Sequence, residues 1–309
     1  MANLSWTLHD GRKVGITGFG DPVANDMIVF CHPAPGSSDF DPDPLVTDRS
    51  AVHVIGLDRP GYGASDPLPV DDWPTIVGAA NDIAEYLHDA RASALAQGID
   101  SLGKVGVIGW SAGGRVALAL ASLHPQLVDR VVLAGTPAPN SAVEWVPPHF
   151  AEINAQALEM KPADAKAKIE GMLAAQLPDE LIHPDESGDA ADLPTEMLGL
   201  SEADSEALEG AGVTNRISHM LRDAFAQGVG GVAADILSYA SDDWGFDFDK
   251  IDADVLLVYG ENDPVAGQAH AGWFASQLPN SELAIVPGVG HLAIVPEWKR
   301  ILKFLVDED

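Results

Sequence analysis

Six short runs of apolar, largely β-branched residues are unbroken by regular polar alternation, and they constrain the fold more than any other feature of the chain. They occupy residues 27–31 (MIVFC), 52–57 (VHVIGL), 105–108 (VGVI), 131–133 (VVL), 255–259 (VLLVY) and 283–286 (LAIV). A strand with one wet face alternates apolar and polar residues, so unbroken runs predict strands buried on both faces. Stretches of helical spacing lie between them at 73–97 (closed by Gly98), 112–123 (stopping before Pro125), 268–278 and 297–306. Strand and helix repeated in this order predict an α/β fold with a mostly parallel sheet and helices on both faces. Ahead of them, residues 5–9 and 13–19 do alternate and predict an antiparallel edge hairpin around Asp10-Gly11.

Between Pro137 and Asp243 the rhythm breaks. No convincing strand occurs there, and amphipathic helical pieces at 150–160, 163–176 and 216–227 are separated by proline and acidic clusters, notably PDELIHPDESGDAADLP at 178–194. A chain of 309 residues has room for a core domain with an insertion. The expected division is a core of residues 1–136 and 244–309, with 137–243 as a helical cap over the C-terminal edge of the sheet.

The net charge is −30, and a surface so acidic repels phosphate backbones and anionic headgroups. Neither a nucleic acid nor a membrane is therefore expected as partner. The lone cysteine, Cys31, forms no intramolecular disulfide and no Cys-rich metal site. The first residues, MANLSWTLHDGRK, do not read as a secretory signal, and no apolar run approaches the ~20 residues of a membrane helix. A soluble, cytoplasmic protein is expected, monomeric or homodimeric.

The strongest chemical signal is KVGVIGWSAGGRVALALA, residues 104–121. A buried strand runs into Gly109-Trp110-Ser111-Ala112-Gly113, and a helix of small residues follows at once. Serine on so sharp a strand-to-helix turn takes a strained backbone, and the residues two places either side must lack bulk. The turn lifts the Ser111 hydroxyl above the sheet at the positive end of the helix. Gly63-Ala64-Ser65-Asp66-Pro67 has similar spacing but fails at its last position.

A serine nucleophile needs a base, and the base needs an orienting acid. Of ten histidines, His291 follows an apolar strand and the flexible loop Pro287-Gly288-Val289-Gly290. His88, His124, His219 and His270 fall in or beside helical stretches, and His9 and His53 in strands, where packing or solvated roles are expected. Asp263 follows the 255–259 strand in LLVYGENDPV. It is the expected acid; N-capping a helix opened by Pro264 is the alternative role, and Glu261 is the reserve. Two N–H donors are also needed for an oxyanion. Ala112, after the nucleophile, supplies one; in the His32-Pro33-Ala34-Pro35-Gly36 loop the prolines cannot donate, which leaves Ala34.

These residues together resemble the α/β-hydrolase superfamily, in its serine-nucleophile, cap-bearing branch. The resemblance rests on the H-x-x-P-G loop at His32, Asp58-Arg59-Pro60-Gly61-Tyr62-Gly63-Ala64-Ser65, the Ser111 turn, the Gly-Glu-Asn-Asp turn and Gly290-His291. It implies a mostly parallel eight-stranded sheet, a catalytic triad of Ser111, Asp263 and His291, and oxyanion donors at Ala34 and Ala112. Pro33 departs from the glycine common there in relatives. Serine at the turn, where dehalogenases and epoxide hydrolases carry aspartate, argues against both of those activities.

The expected function is hydrolysis of a carboxylic ester of a small to medium apolar substrate through an acyl-enzyme, with no cofactor and no metal. Trp110 and His32 are expected at the substrate pocket, core packing being the alternative for Trp110. Other readings are an aminopeptidase like the proline iminopeptidases, with cap acids such as Glu144 and Glu152 holding a free amine, and a receptor-like ligand-binding protein on the same fold. Ser111→Ala should abolish covalent labelling by a fluorophosphonate, read by in-gel fluorescence. Labelling that persists at another serine, such as Ser65, would overturn the assignment.

Overall fold

In a computed structural model, residues 4–98, 103–177 and 195–306 are described; the acidic stretch 178–194 lies outside them. Eight strands form one sheet: β1 Leu4–Thr7, β2 Lys13–Gly20, β3 Asp26–Cys31, β4 Val52–Leu57, β5 Val105–Trp110, β6 Val128–Ala134, β7 Asp254–Gly260 and β8 Ser281–Val286. Their spatial order is β1-β2-β4-β3-β5-β6-β7-β8, with β1–β2 and β2–β4 antiparallel and every later pair parallel. The parallel sheet and the edge hairpin are those expected from the sequence.

Successive residues of the central strands point to opposite faces, and both faces are dry. Val29, Cys31, Val107, Leu133, Leu257 and Tyr259 pack with Ile83 and Leu87 of α2 (Ile76–Ala96) and Val116 and Leu120 of α3 (Gly113–Leu123). Ile28, Phe30, Ile108, Trp110, Val132, Leu256 and Val258 face the other way, onto Ile301 and Leu302 near the C-terminus. Each such side chain contributes roughly 1.5–3 kcal/mol on burial, which explains the unbroken apolar runs.

The helix expected from residue 73 begins at Ile76, because Thr75 caps it by accepting the Gly78 N–H at 2.9 Å. A short helix not expected from the sequence, α1 (Pro44–Arg49), starts at Asp43, whose carboxylate accepts from Leu45 and Val46 N–H.

Between β6 and β7 the chain leaves the sheet for a helical insertion. It contains α4 (Pro148–Leu158), α5 (Pro162–Ala174), the single turn α6 (Ser205–Leu208), α7 (Val213–Ala224) and α8 (Gly230–Tyr239). Its paired glycines, Gly230 and Gly231, hide α8 from a propensity-based reading. Two further helices, α9 (Gln268–Gln277) and α10 (Trp298–Val306), complete the core. Among the described residues no helix is long and apolar enough to cross a membrane.

The insertion is seated on the core by packing and by charge. Ile217, Met220 and Leu221 of α7 join the cluster containing Trp110 and Leu292. Where the chain enters and leaves the insertion, the rings of Trp145, Tyr239 and Trp244 surround the Arg115 guanidinium at 4.4–5.3 Å. Burial lowers the pKa of Arg115 to about 10. Asp235 of α8 receives a fork from buried Arg59, at 3.0 and 2.6 Å, and the Tyr62 hydroxyl at 2.8 Å. Removing one member of a buried pair strands the other charge. Asp235→Ala should therefore lower unfolding stability by roughly 3–5 kcal/mol, seen as a lower urea midpoint. A midpoint within error of wild type would show that the fork contributes nothing.

Candidate active site

The Ser111 turn is built by close backbone approach. Ser111 has φ +52°, a left-handed conformation rare for a residue with a side chain and costing about 1–3 kcal/mol. A Cβ on Gly109 would strike the Gly114 backbone, and one on Gly113 would strike the Cys31 carbonyl oxygen at the end of β3. The glycine spacing thus has the steric cause expected. The Ser111 N–H is tied to the Ala134 carbonyl at 2.8 Å, and the residue is 9% exposed.

Asp263 and His291 meet at the same sheet edge, just beyond β7 and β8. Nδ1 of His291 lies 2.8 Å from Oδ2 of Asp263, both residues being buried. Oδ1 of Asp263 accepts the N–H groups of Val265 and Ala266 at 2.8 and 2.9 Å, so this carboxylate caps the turn and holds the histidine at once. Burial pushes the Asp263 pKa up, but the His291 charge, their hydrogen bond and those two N–H groups outweigh it, and the net shift is downward. A carboxylate accepting from Nδ1–H leaves Nε2 as the proton acceptor, the form a general base needs. Gly135, φ +55°, closes one side: a Cβ there would sit 3.1 Å from the imidazole and 3.2 Å from Asp263.

The reserve acid does not reach this pair. Glu261 is exposed and accepts the Gly288 N–H at 3.0 Å. Ser65 is buried, its hydroxyl donating to the Asp58 carbonyl at 2.6 Å and accepting from Gly15 N–H at 2.9 Å. His270 is likewise structural, accepting the Ala138 N–H at 3.0 Å.

Ala34 and Ala112 are partly exposed within otherwise buried segments, and among the described residues no hydrogen bond occupies either N–H. Contact of Gly113 with the Cys31 and His32 carbonyls brings their two segments together.

Two expectations need correction. His32 is fully buried: Nδ1–H donates to the Pro33 carbonyl at 2.8 Å, and Nε2 accepts the Arg59 N–H at 3.1 Å. Burial and then the Arg59 charge push its pKa well down, so it is a neutral strut with no nitrogen left for substrate. Trp110 is also fully buried; it packs against Phe40 and donates from Nε1 to the His291 carbonyl at 3.2 Å. As the last residue of β5 it faces into the sheet's second core, and its expected alternative role, packing, is the one it plays.

Two residues to which the motifs assign no role hold this edge in shape. Arg59 donates to the His32 and Pro33 carbonyls at 2.6 and 2.8 Å, bracing the loop ahead of Ala34. Asp204 of the insertion accepts the Leu292 N–H at 2.8 Å and the His291 N–H at 3.3 Å. The only sequence signal for Asp204 is the Ser201-Glu202-Ala203-Asp204 capping pattern, which points to a local role. Glu144 and Glu152 lie exposed. Two cavities of about 240 and 230 Å³ share Trp145, Val146, Asn154 and Tyr239; neither is lined by Glu144, Glu152 or Ser111.

A mainly parallel eight-stranded sheet with a strained serine and a buried Asp–His pair on one edge defines a class of hydrolytic fold. The family model described as alpha/beta hydrolase fold matches residues 26–297, and the chain belongs to that family. The pimeloyl-[acyl-carrier protein] methyl ester esterase of Aromatoleum aromaticum is 30% identical over 185 residues, which cover 60% of this chain and 66% of that protein. The 2-hydroxy-6-oxononadienedioate/2-hydroxy-6-oxononatrienedioate hydrolase of Burkholderia vietnamiensis is 23% identical over 308 residues, covering 96% and 90%. Among solved structures, a hydrolase from Pseudomonas aeruginosa PA01 superposes with a TM-score of 0.67 at 20% identity, over 99% of this chain and 98% of that one. The chain is an enzyme of the hydrolase class.

Asp263→Asn keeps the shape of the acid but loses its charge and can favour the wrong imidazole tautomer. Turnover of p-nitrophenyl acetate should fall on the order of 10⁴-fold, as for the same change in a serine protease. Glu261→Gln should leave it unchanged. The reverse pattern would show the acid to be misassigned.

Proposed function

We propose that the chain is a serine hydrolase that cleaves a carboxylic ester through an acyl-enzyme on Ser111. The observation that carries this reading is the buried 2.8 Å contact between His291 Nδ1 and Asp263 Oδ2, on the sheet edge where Ser111 stands at φ +52°. Nε2 of His291 takes the Ser111 proton as Oγ attacks the acyl carbon. Asp263 stabilises the imidazolium that forms and keeps its orientation. The N–H groups of Ala34 and Ala112 receive the oxyanion of the tetrahedral intermediate.

Collapse of that intermediate breaks the bond to the alkoxy group, which leaves as the alcohol with the proton held on Nε2. A water then gives its proton to Nε2 as it attacks the acyl carbon. Collapse of the second tetrahedral intermediate breaks the bond to Ser111 Oγ, which leaves with that proton, and the acid is released. None of these steps requires a metal or a cofactor. The substrate is a small molecule with a small to medium apolar acyl group.

The insertion between β6 and β7 acts as the cap. Its support is the packing of Ile217, Met220 and Leu221 into the cluster that includes Trp110 and Leu292, beside His291. The relative from Aromatoleum aromaticum, named a methyl ester esterase, supports an ester as the scissile bond. Exposed Glu144 and Glu152 offer no buried carboxylate for a substrate amine, which weighs against the aminopeptidase reading.

Parallel assays with p-nitrophenyl esters of increasing acyl length and with a prolyl-naphthylamide test the proposal. Ester turnover should show burst kinetics and a preference among acyl lengths, with no amide cleavage. Prolyl-naphthylamide hydrolysis without ester turnover would overturn it. Ligand-induced thermal stabilisation with no turnover of either would do so too, in favour of a receptor.

A further inference from the structure

The insertion contributes a buried carboxylate to the catalytic edge, and the chemistry above does not use it. Asp204 is fully buried, and among the described residues it has no ion pair. Its Oδ1 accepts the Leu292 N–H at 2.8 Å; its Oδ2 accepts from Ser201 N–H at 2.9 Å, the Ser201 hydroxyl at 3.4 Å and the His291 N–H at 3.3 Å. Gly290 has no side chain where the carboxylate comes in: a Cβ there would strike Asp204 itself. From the same stretch, Gly199, φ +74°, approaches the histidine, so that a Cβ on it would lie 3.9 Å from His291 Cδ2.

A carboxylate that only closed a capping box would need the Ser201 contacts alone. This one also reaches 87 and 88 residues along the chain, to two consecutive amides, one of them the amide of the proposed base. Charge-assisted bonds to adjacent N–H groups fix the peptide planes from which the imidazole hangs, while Trp110 holds the His291 carbonyl from the opposite side. The Asp263 bond orients the ring, but it does not by itself fix the position of the His291 Cα.

We propose that Asp204 is a positioning residue for His291, so that seating of the insertion sets the place of the base as well as covering the site. This rests on the reading of Ser111 and His291 as nucleophile and base. A misplacement of about 1 Å in a catalytic group can reduce the rate on the order of 100-fold. Asn at 204 retains one acceptor oxygen where two faced backbone donors, and turns an NH₂ group toward an N–H. The loop is then held on one side only.

The test compares Asp204→Asn with wild type and with Asp82→Asn. The latter disrupts the Arg12–Asp82 fork between the β1–β2 turn and α2, which among the described residues shares no hydrogen bond with Ser111, Asp263 or His291, and serves as the stability control. For Asp204→Asn, kcat on p-nitrophenyl acetate should fall roughly 10- to 100-fold with KM within about threefold, and Ser111 labelling by a fluorophosphonate should slow in step. The low-field proton resonance of the His291–Asp263 bond should broaden or shift. Asp82→Asn should lower the melting temperature and leave kcat, labelling rate and that resonance as in wild type.

A folded Asp204→Asn enzyme with wild-type kcat and labelling would overturn the proposal. So would an Asp82→Asn enzyme that loses kcat in proportion to its stability. If Asp204→Asn does not fold, Gly290→Ala, which pushes a methyl group into the carboxylate, decides: slowed labelling supports the role, and an unchanged rate removes it. Failure of the underlying reading looks different, because Ser111→Ala would then still be labelled.

Discussion

The edge that carries Ser111, Asp263 and His291 depends on how closely two pieces of backbone approach each other beneath Ser111. The end of β3 meets the start of α3 with no side chain between them, since a Cβ on Gly113 would overlap the Cys31 carbonyl. Gly109 meets Gly114 across the turn in the same way. The contact holds Ser111 at φ +52°, and the surrounding sheet supplies the burial that makes such a conformation tolerable. It also brings the loop carrying Ala34 beside the residue after the serine. One steric requirement thus shapes the serine's turn and draws the segment ahead of Ala34 against it.

A close-packed edge leaves many backbone and carboxylate groups away from water, and each has to find a partner. The chain carries a net charge of −30; among the described residues few acids are buried, and those that go inside are met by specific donors. Asp58 accepts the Ser38 and Ala64 N–H groups at 2.6 and 3.1 Å, yet burial still pushes its pKa up. Asp235 takes the Arg59 fork. Asp204 and Asp263 are met mainly by backbone N–H groups and by His291. The buried acids therefore tie loops to one another, and two of them, Asp204 and Asp235, tie the insertion to the core.

How far this could be read from residues alone follows from the range of each interaction. Sheet, hairpin and Ser111 turn were legible because their causes are local: apolar runs with no wet face, alternation around Asp10-Gly11, and glycines at fixed spacing. Asp263 and His291 were legible because each stands at the end of a recognisable strand. Helix starts were blurred where a cap such as Thr75 outranked Trp73, and α8 was hidden by its own glycines. For Trp110, adjacency in sequence to Ser111 says nothing of which face a strand residue takes, and for His32 the partners that occupy its two nitrogens include Arg59, 27 positions away. The Arg59–Asp235 fork spans 176 positions, and the Asp204–His291 contact spans 87; no pattern within a sequence window encodes either.

The burial of His32 and Trp110 has a consequence for selectivity. Both ring nitrogens of His32 are spent on the protein, and the Trp110 indole N–H is spent on the His291 carbonyl. On the proposed mechanism, the sheet presents a bound molecule with little beyond Ser111, His291 and the small residues Ala34 and Ala112. Under that proposal, groups that distinguish one acyl chain from another come from the insertion, whose buried apolar faces meet the core around Leu292. An insertion that supplies recognition and also anchors the histidine loop through Asp204 links the two tasks physically. A change in how it sits on the sheet would then move the proposed recognition surface and the His291 backbone together.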